Sequence, residues 1–249
     1  MWKVSPCLLA VVALLPAAET SASTYTVNPT RVYLNASTAS ALVTLKNESA
    51  EPLRMQVKAQ RWAQSLDGEI QLSATEDLIV FPALLTLKPG EERKIRVATS
   101  VAFGPVEKTY RLYVEELPPT TAEKSEGASV RILTRMGLPV FLQPAKPQAA
   151  ALIRDTGLSN GRLTFQLVNS GNSHFLPSSV IVRGFTANGT TVGDWPINGW
   201  YVLAGSARAF ALTLDRPSCD RVRSLLVEIK IGDTVLKNPL TTPGGACAN

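Results

Sequence analysis

The sequence predicts an all-β protein made of two β-sandwich domains, and three observations predict it. From Tyr25 onward no stretch sustains a 3.6-residue apolar period, whereas short β-branched runs alternate apolar and polar residues as half-buried antiparallel strands do. Turn-forming residues separate those runs at short intervals, a spacing typical of sandwiches. A break carrying two prolines then divides the chain into halves of sandwich size. Of the 249 residues 45% are hydrophobic and 18% charged, so the chain has material for a core and is not a disordered segment.

Residues 1–22 come before the fold. Lys3 precedes an apolar run over 7–15, and Pro16 and small residues follow up to Ala22. This is the layout of a secretory signal peptide, with a run too short to span a bilayer. Cleavage after Ala22 would make Ser23 the first mature residue. Losing Lys3 and Glu19 takes one charge of each sign and leaves the net charge at +5. No later segment reaches membrane-spanning length, so the expected product is a soluble, exported protein without membrane insertion.

The first domain is expected over 23–142. Its strands are read in Ser40-Ala-Leu-Val-Thr-Leu-Lys46, Lys94-Ile-Arg-Val-Ala98, Tyr110-Arg-Leu-Tyr-Val114 and Ser129-Val-Arg-Ile-Leu133. Turns are read at Leu66-Asp-Gly68 and Lys88-Pro-Gly-Glu91. Residues 143–148, with Pro144 and Pro147, form a short stiff elbow. The second domain, 149–249, carries strands at Leu163-Thr-Phe-Gln-Leu-Val168, Val180-Ile-Val182 and Leu225-Leu-Val-Glu-Ile-Lys-Ile231, with turns at Asn160-Gly161, Asn188-Gly189 and Gly232-Asp233.

Export decides how the cysteines are read. Beyond Cys7, only Cys219 and Cys247 remain, and a lone pair in an oxidising compartment is most simply one disulfide. It would tie the C-terminal tail to an earlier loop and contribute roughly 3–4 kcal/mol in the chain-entropy account. The C-x-x-C spacing of a redox site is absent.

Catalytic chemistry finds little support. The chain has one histidine, His174, in the loop sequence Asn169-Ser-Gly-Asn-Ser-His174, where a hydrogen-bonded surface imidazole is expected. A histidine metal cluster is excluded, and no acidic cluster suggests calcium. The carboxylate neighbours Glu91-Glu92 and Glu115-Glu116 point to opposite faces of a strand. Phosphate-binding and nucleophile-elbow motifs do not occur. The mild net charge of +5 does not describe a nucleic-acid binder. The reading is a non-enzyme with no cofactor, metal or small-molecule substrate.

One strand stands apart, Gly127-Ala-Ser-Val-Arg-Ile-Leu-Thr-Arg-Met-Gly-Leu-Pro-Val-Phe-Leu142. Val130, Ile132, Thr134, Met136 and Leu138 share one face, and Arg131 and Arg135 the other. Pro139 cannot donate a ladder bond, which places this strand at a sheet edge, where another chain can add a strand. From spacing alone, the favoured reading is that those apolar residues fill their own domain's core.

Four passages together resemble the periplasmic chaperones of the chaperone–usher pilus pathway. They are Tyr25-Thr-Val-Asn-Pro-Thr-Arg-Val-Tyr33, Leu87-Lys-Pro-Gly-Glu91 with Ile95-Arg-Val97, Tyr110-Arg-Leu-Tyr-Val-Glu-Glu-Leu-Pro-Pro119, and Leu138-Pro-Val-Phe-Leu-Gln-Pro144. The resemblance covers the first domain and implies two immunoglobulin-like sandwiches in a boomerang, located in the periplasm. It implies that the protein binds pilus subunits by donor-strand complementation, through the row Val130, Ile132, Thr134, Met136 and Leu138, and delivers them to an outer-membrane usher. Arg31 matches the family's carboxylate-gripping arginine. The family's second gripping residue is a lysine, and here that position is Pro139. Arg135, on the same face, is the substitute expected, with Arg96 a weaker candidate. The short stretch 120–128 speaks for the short-loop branch. Pro118-Pro119 either holds a cis bond or ends a strand. The other reading of the chain is an exported structural or adhesive sandwich, such as a pilus component or surface binding module.

Overall fold

The computed structural model describes residues 24–120 and 132–242. The expected leader at 1–22, Val130 and Cys247 lie outside them. Strands in the first half are β1 (Tyr25–Asn28), β2 (Val32–Leu34), β3 (Ser40–Asn47), β4 (Leu53–Gln64), β5 (Ile70–Ala74), β6 (Leu78–Phe81), β7 (Leu84–Leu87), β8 (Glu92–Thr99), β9 (Lys108–Leu117) and β10 (Arg135–Leu142). The second half contains β11 (Ala151–Ser159), β12 (Arg162–Asn169), β13 (Ser179–Phe185), β14 (Thr191–Ile197), β15 (Ala207–Thr213), the helix α1 (Arg216–Arg221), β16 (Ser224–Ile231) and β17 (Thr234–Thr241).

These strands make two sandwiches. In the first, a sheet ordered β1-β3-β8-β6 packs on one ordered β2-β10-β9-β4-β5, with β7 also on β4. In the second, β11-β12-β15 packs on β14-β13-β16-β17. Strand alternation decides what is buried: Tyr110, Leu112 and Val114 of β9 enter the first core with Val43, Leu45, Ile95 and Val97, while Tyr113 and Glu115 stay partly exposed on the other face. Each fully buried aliphatic side chain of this kind contributes roughly 1.5–3 kcal/mol. The second core gathers Leu163, Phe165, Leu167, Val182, Val227 and Ile229 in the same way.

Both sandwiches pin a loop with the same device. Asn47, wholly buried at the end of β3, donates from Nδ2 to the carbonyls of Glu51 and Leu87, and Asn169 at the end of β12 donates to those of Ser173 and Val202. Each Oδ1 accepts a backbone N–H two residues on, from Ser49 and Gly171. An amide satisfied at both ends is the form in which a buried polar side chain stabilises a fold.

Two details differ from the sequence reading, and a third settles what it left open. A six-residue helix, α1, interrupts the strands, because Asp215 caps it by accepting from Ser218 N at 2.9 Å and Pro217 sits in its first turn. Cis bonds occur at Asn28–Pro29 and Phe81–Pro82, where the chain passes between sheets, and not at Pro118 or Pro119. His174, expected on the surface, is largely withdrawn from solvent: its side chain is 11% exposed. The loop pinned by Asn169 carries it against the first domain, a docking that loop composition does not announce.

The two sandwiches touch through specific groups. A third buried cluster joins Trp62 and Phe141 of the first to Tyr201, Leu203 and Leu176 of the second. The tip of the β4–β5 hairpin reaches β15, whose Ala209 N donates to Leu66 O at 2.8 Å. Gln64 Nε2 donates to Tyr201 O at 2.8 Å, and Asn172 Nδ2 to Pro105 O at 3.0 Å. Glu107, with its side chain fully buried, accepts at Oε1 from His174 N at 3.0 Å and meets His174 Nδ1 at 2.7 Å.

Candidate functional site

The outer face of the β2-β10-β9-β4 sheet fronts the second domain, and its strand register sets the site. β2 runs parallel to β10, with Val32 beside Val140 and Leu34 beside Leu142. Extending that register by one residue sets Arg31 level with Pro139, and Pro139 is the antiparallel partner of Arg111 on β9. Arg31, Pro139 and Arg111 therefore form one row, in which the small apolar proline separates two cations. Sequence reasoning gave Arg111 no role. Counting the β9–β10 register back from the prolines would have found it, but that register depends on a pairing the sequence does not print.

Arg111 is 6% exposed. Its guanidinium lies 4.3 Å from the centre of the Trp62 ring and 5.9 Å from that of Trp200, and Nη1 donates to Gly137 O at 3.3 Å. Nε has no partner, and no carboxylate among the described residues pairs with the side chain. Burial pulls its pKa down from the ordinary arginine value. A desolvated guanidinium held only by rings and one carbonyl is short of an anion, and a carboxylate fits its donor fork. Arg31, by contrast, is exposed, with its guanidinium 5.9 Å from the centre of the Tyr201 ring.

The other predicted residues fall into different places. Arg135 lies on the same face as Arg111, but Glu115 pairs with it at 2.5 Å and its guanidinium sits 3.8 Å from the centre of the Tyr113 ring. It is four residues from Pro139 along β10, so its charge is already matched and displaced from Arg31. Gly137 makes room for this stack, since a Cβ there would come within 2.8 Å of Tyr113 Cε1. Arg96 is on β8 in the opposite sheet, exposed, donating to Ser40 Oγ at 3.1 Å. Two sandwiched sheets stand about 10 Å apart, so the structure does not bring Arg96 to Arg31.

Of the apolar row, Leu138 is 2% exposed and Met136 packs half-buried against the first core, while Ile132 is 55% exposed. On one side β10 pairs with β9 along its whole length. On the other, β2 covers only Val140, Phe141 and Leu142. Among the described residues, the edge from Arg135 to Leu138 has no partner strand.

Residues 24–148, half of the chain, match the pili and flagellar-assembly chaperone family over its PapD N-terminal domain. The chain belongs to this chaperone family. No curated protein sequence matches it. Solved structures share the chaperone's two-domain fold. One is the CsuC–CsuE chaperone–tip adhesion subunit pre-assembly complex from archaic chaperone–usher Csu pili of Acinetobacter baumannii, at 19% identity and a TM-score of 0.58 over 87% of this chain and 97% of that one. Another is the Salmonella enterica SafB chaperone in complex with SafA pilin, at 16% identity and 0.59 over 90% and 99%. The E. coli chaperone DraB follows at 16% identity and 0.57 over 91% and 98%. Among the described residues no group of histidine, cysteine and carboxylate side chains could hold a metal ion.

Proposed function

We propose that this chaperone holds a pilus subunit in the periplasm by lending it the open edge of β10, grips the subunit's C-terminal carboxylate between Arg31 and Arg111, and passes it to an outer-membrane usher. The observation that carries the reading is the row Arg31–Pro139–Arg111 at the point where β2 closes the edge. A guest strand can bond to β10 only from Arg135 to Leu138, because β2 occupies the positions beyond Pro139. Its tail must stop level with the two arginines. With its carboxylate there and its body alongside residues 132–138, the guest runs in the same direction as β10, as a parallel strand.

An unfinished sandwich exposes unpaired backbone and apolar pockets, the state in which chains aggregate. The open edge satisfies the backbone at about 0.5–1.5 kcal/mol per ladder bond. Ile132 and Met136, with Val130 and Thr134 in the same row, would supply side chains to the guest's pockets. Leu138 is committed to the chaperone's own core, so it anchors the strand. Arg135, neutralised by Glu115, lines the guest's path farther from its tail. Nothing in this scheme calls for a nucleotide or a bond-breaking step.

Co-purification from periplasmic extract tests it. Arg31→Ala is expected to fold and be exported but to lose its subunit, and Arg135→Ala to lose less. Equal subunit recovery with Arg31→Ala and with the native protein would refute the grip.

A further inference from the structure

Tyr201 belongs to the second domain, yet five groups around it fix its ring against the arginine row. It is 5% exposed. Trp62 meets it edge-on at 5.6 Å and 86°, Phe141 lies at 5.7 Å, and His174 at 5.5 Å. Its carbonyl accepts from Gln64, and the guanidinium of Arg31 stands over its ring. His174 is itself fixed by Glu107 and by a face-to-face stack on Phe141 with centroids 3.6 Å apart. The ring thus has one position while the domains are docked.

Its ring lies beside Arg31, 5.9 Å from the guanidinium carbon, and the charges of Arg31 and Arg111 both act on its hydroxyl. Burial nevertheless raises its pKa above the ordinary phenol value, the largest influence on it, with the two arginines pulling the other way. The group therefore keeps its proton at neutral pH. A protonated phenol has that proton to donate, and a carboxylate placed beside Arg31 is the acceptor it would meet.

We propose that Tyr201 is a third anchor of the guest carboxylate, contributed by the second domain, so that the tail is gripped across the domain boundary and only when the two domains are docked. This rests on the reading of Arg31 and Arg111 as the carboxylate site.

The test uses Tyr201→Phe, which keeps the ring and its contacts and removes only the hydroxyl. The probe is a short peptide of alternating valine and serine, made with a free C-terminal carboxylate and again as the C-terminal amide, titrated against the full chaperone. The native protein is expected to prefer the free acid. Tyr201→Phe is expected to lose about tenfold of that preference, the lower end of what a hydrogen bond to a charged group supplies, with amide binding unchanged. An undiminished preference, or an equal loss for acid and amide, would overturn the assignment and leave Tyr201 a packing residue. Absence of any preference in the native protein, or its survival in Arg31→Ala, would instead overturn the underlying carboxylate site.

Discussion

The rings of Phe141 and His174 lie face to face, 3.6 Å between centroids and 11° from parallel, and each comes from a different domain. Phe141 is the penultimate residue of β10, whose edge from Arg135 to Leu138 has no partner strand among the described residues, and His174 is bonded to the buried carboxylate of Glu107. The stack therefore ties the geometry of the binding strand to the docking of the second sandwich.

His174→Ala removes the stack and leaves Glu107 with a single backbone donor in a buried site. A stacked ring pair and one lost hydrogen bond to a buried carboxylate together amount to about 2–4 kcal/mol. Urea unfolding is expected to show a loss of that size. A loss below about 0.5 kcal/mol, the size of an ordinary surface change, would show that the pair does not hold the domains.

Arg111→Leu separates stability from binding. The native residue is a buried charge without a carboxylate, held by contacts to Trp62 and Trp200. Losing those contacts costs about 0.5–2 kcal/mol, and removing an uncompensated buried charge offsets that. Thermal unfolding is expected to change little while subunit co-purification falls sharply. Retained co-purification would return the second gripping role to another cation.

Alkaline pH should unfold the first domain in a defined window. Burial, with the nearby charge of Glu116, pushes the Tyr25 hydroxyl up to about 12, while its proton is donated to Val114 O at 3.1 Å. Burial and the bond to Asp77 raise Tyr110 as well. Because the folded state holds these protons more tightly than the unfolded chain does, their contribution is complete below pH about 10, the ordinary phenol value, and is lost as pH climbs toward 12. Urea melts across that range are expected to show falling stability, with a shallower fall in Tyr25→Phe. A flat profile would refute the assignment.

Much of this protein was legible in its residues. Alternation in runs such as Leu163-Thr-Phe-Gln-Leu-Val168 is local, and so are the turns at Asn188-Gly189 and Gly232-Asp233, so an all-β chain with two sandwiches followed from the sequence alone. Arg31 was singled out only through the resemblance of residues 25–33 to the family's first strand, and the edge near Pro139 by the missing amide proton. Tertiary structure decided the rest. Arg111 reads as one more outward residue of β9 until strand register puts it opposite Pro139, and register depends on which strands meet. Tyr201 and His174 join the first domain's sheet only because the second sandwich docks there, through contacts such as that between Gln64 and Tyr201, 137 positions apart. Arg135 looked available until its neighbour across the ladder proved to be Glu115. Local pattern determines which face a side chain takes, but what that face meets is set by packing between distant segments.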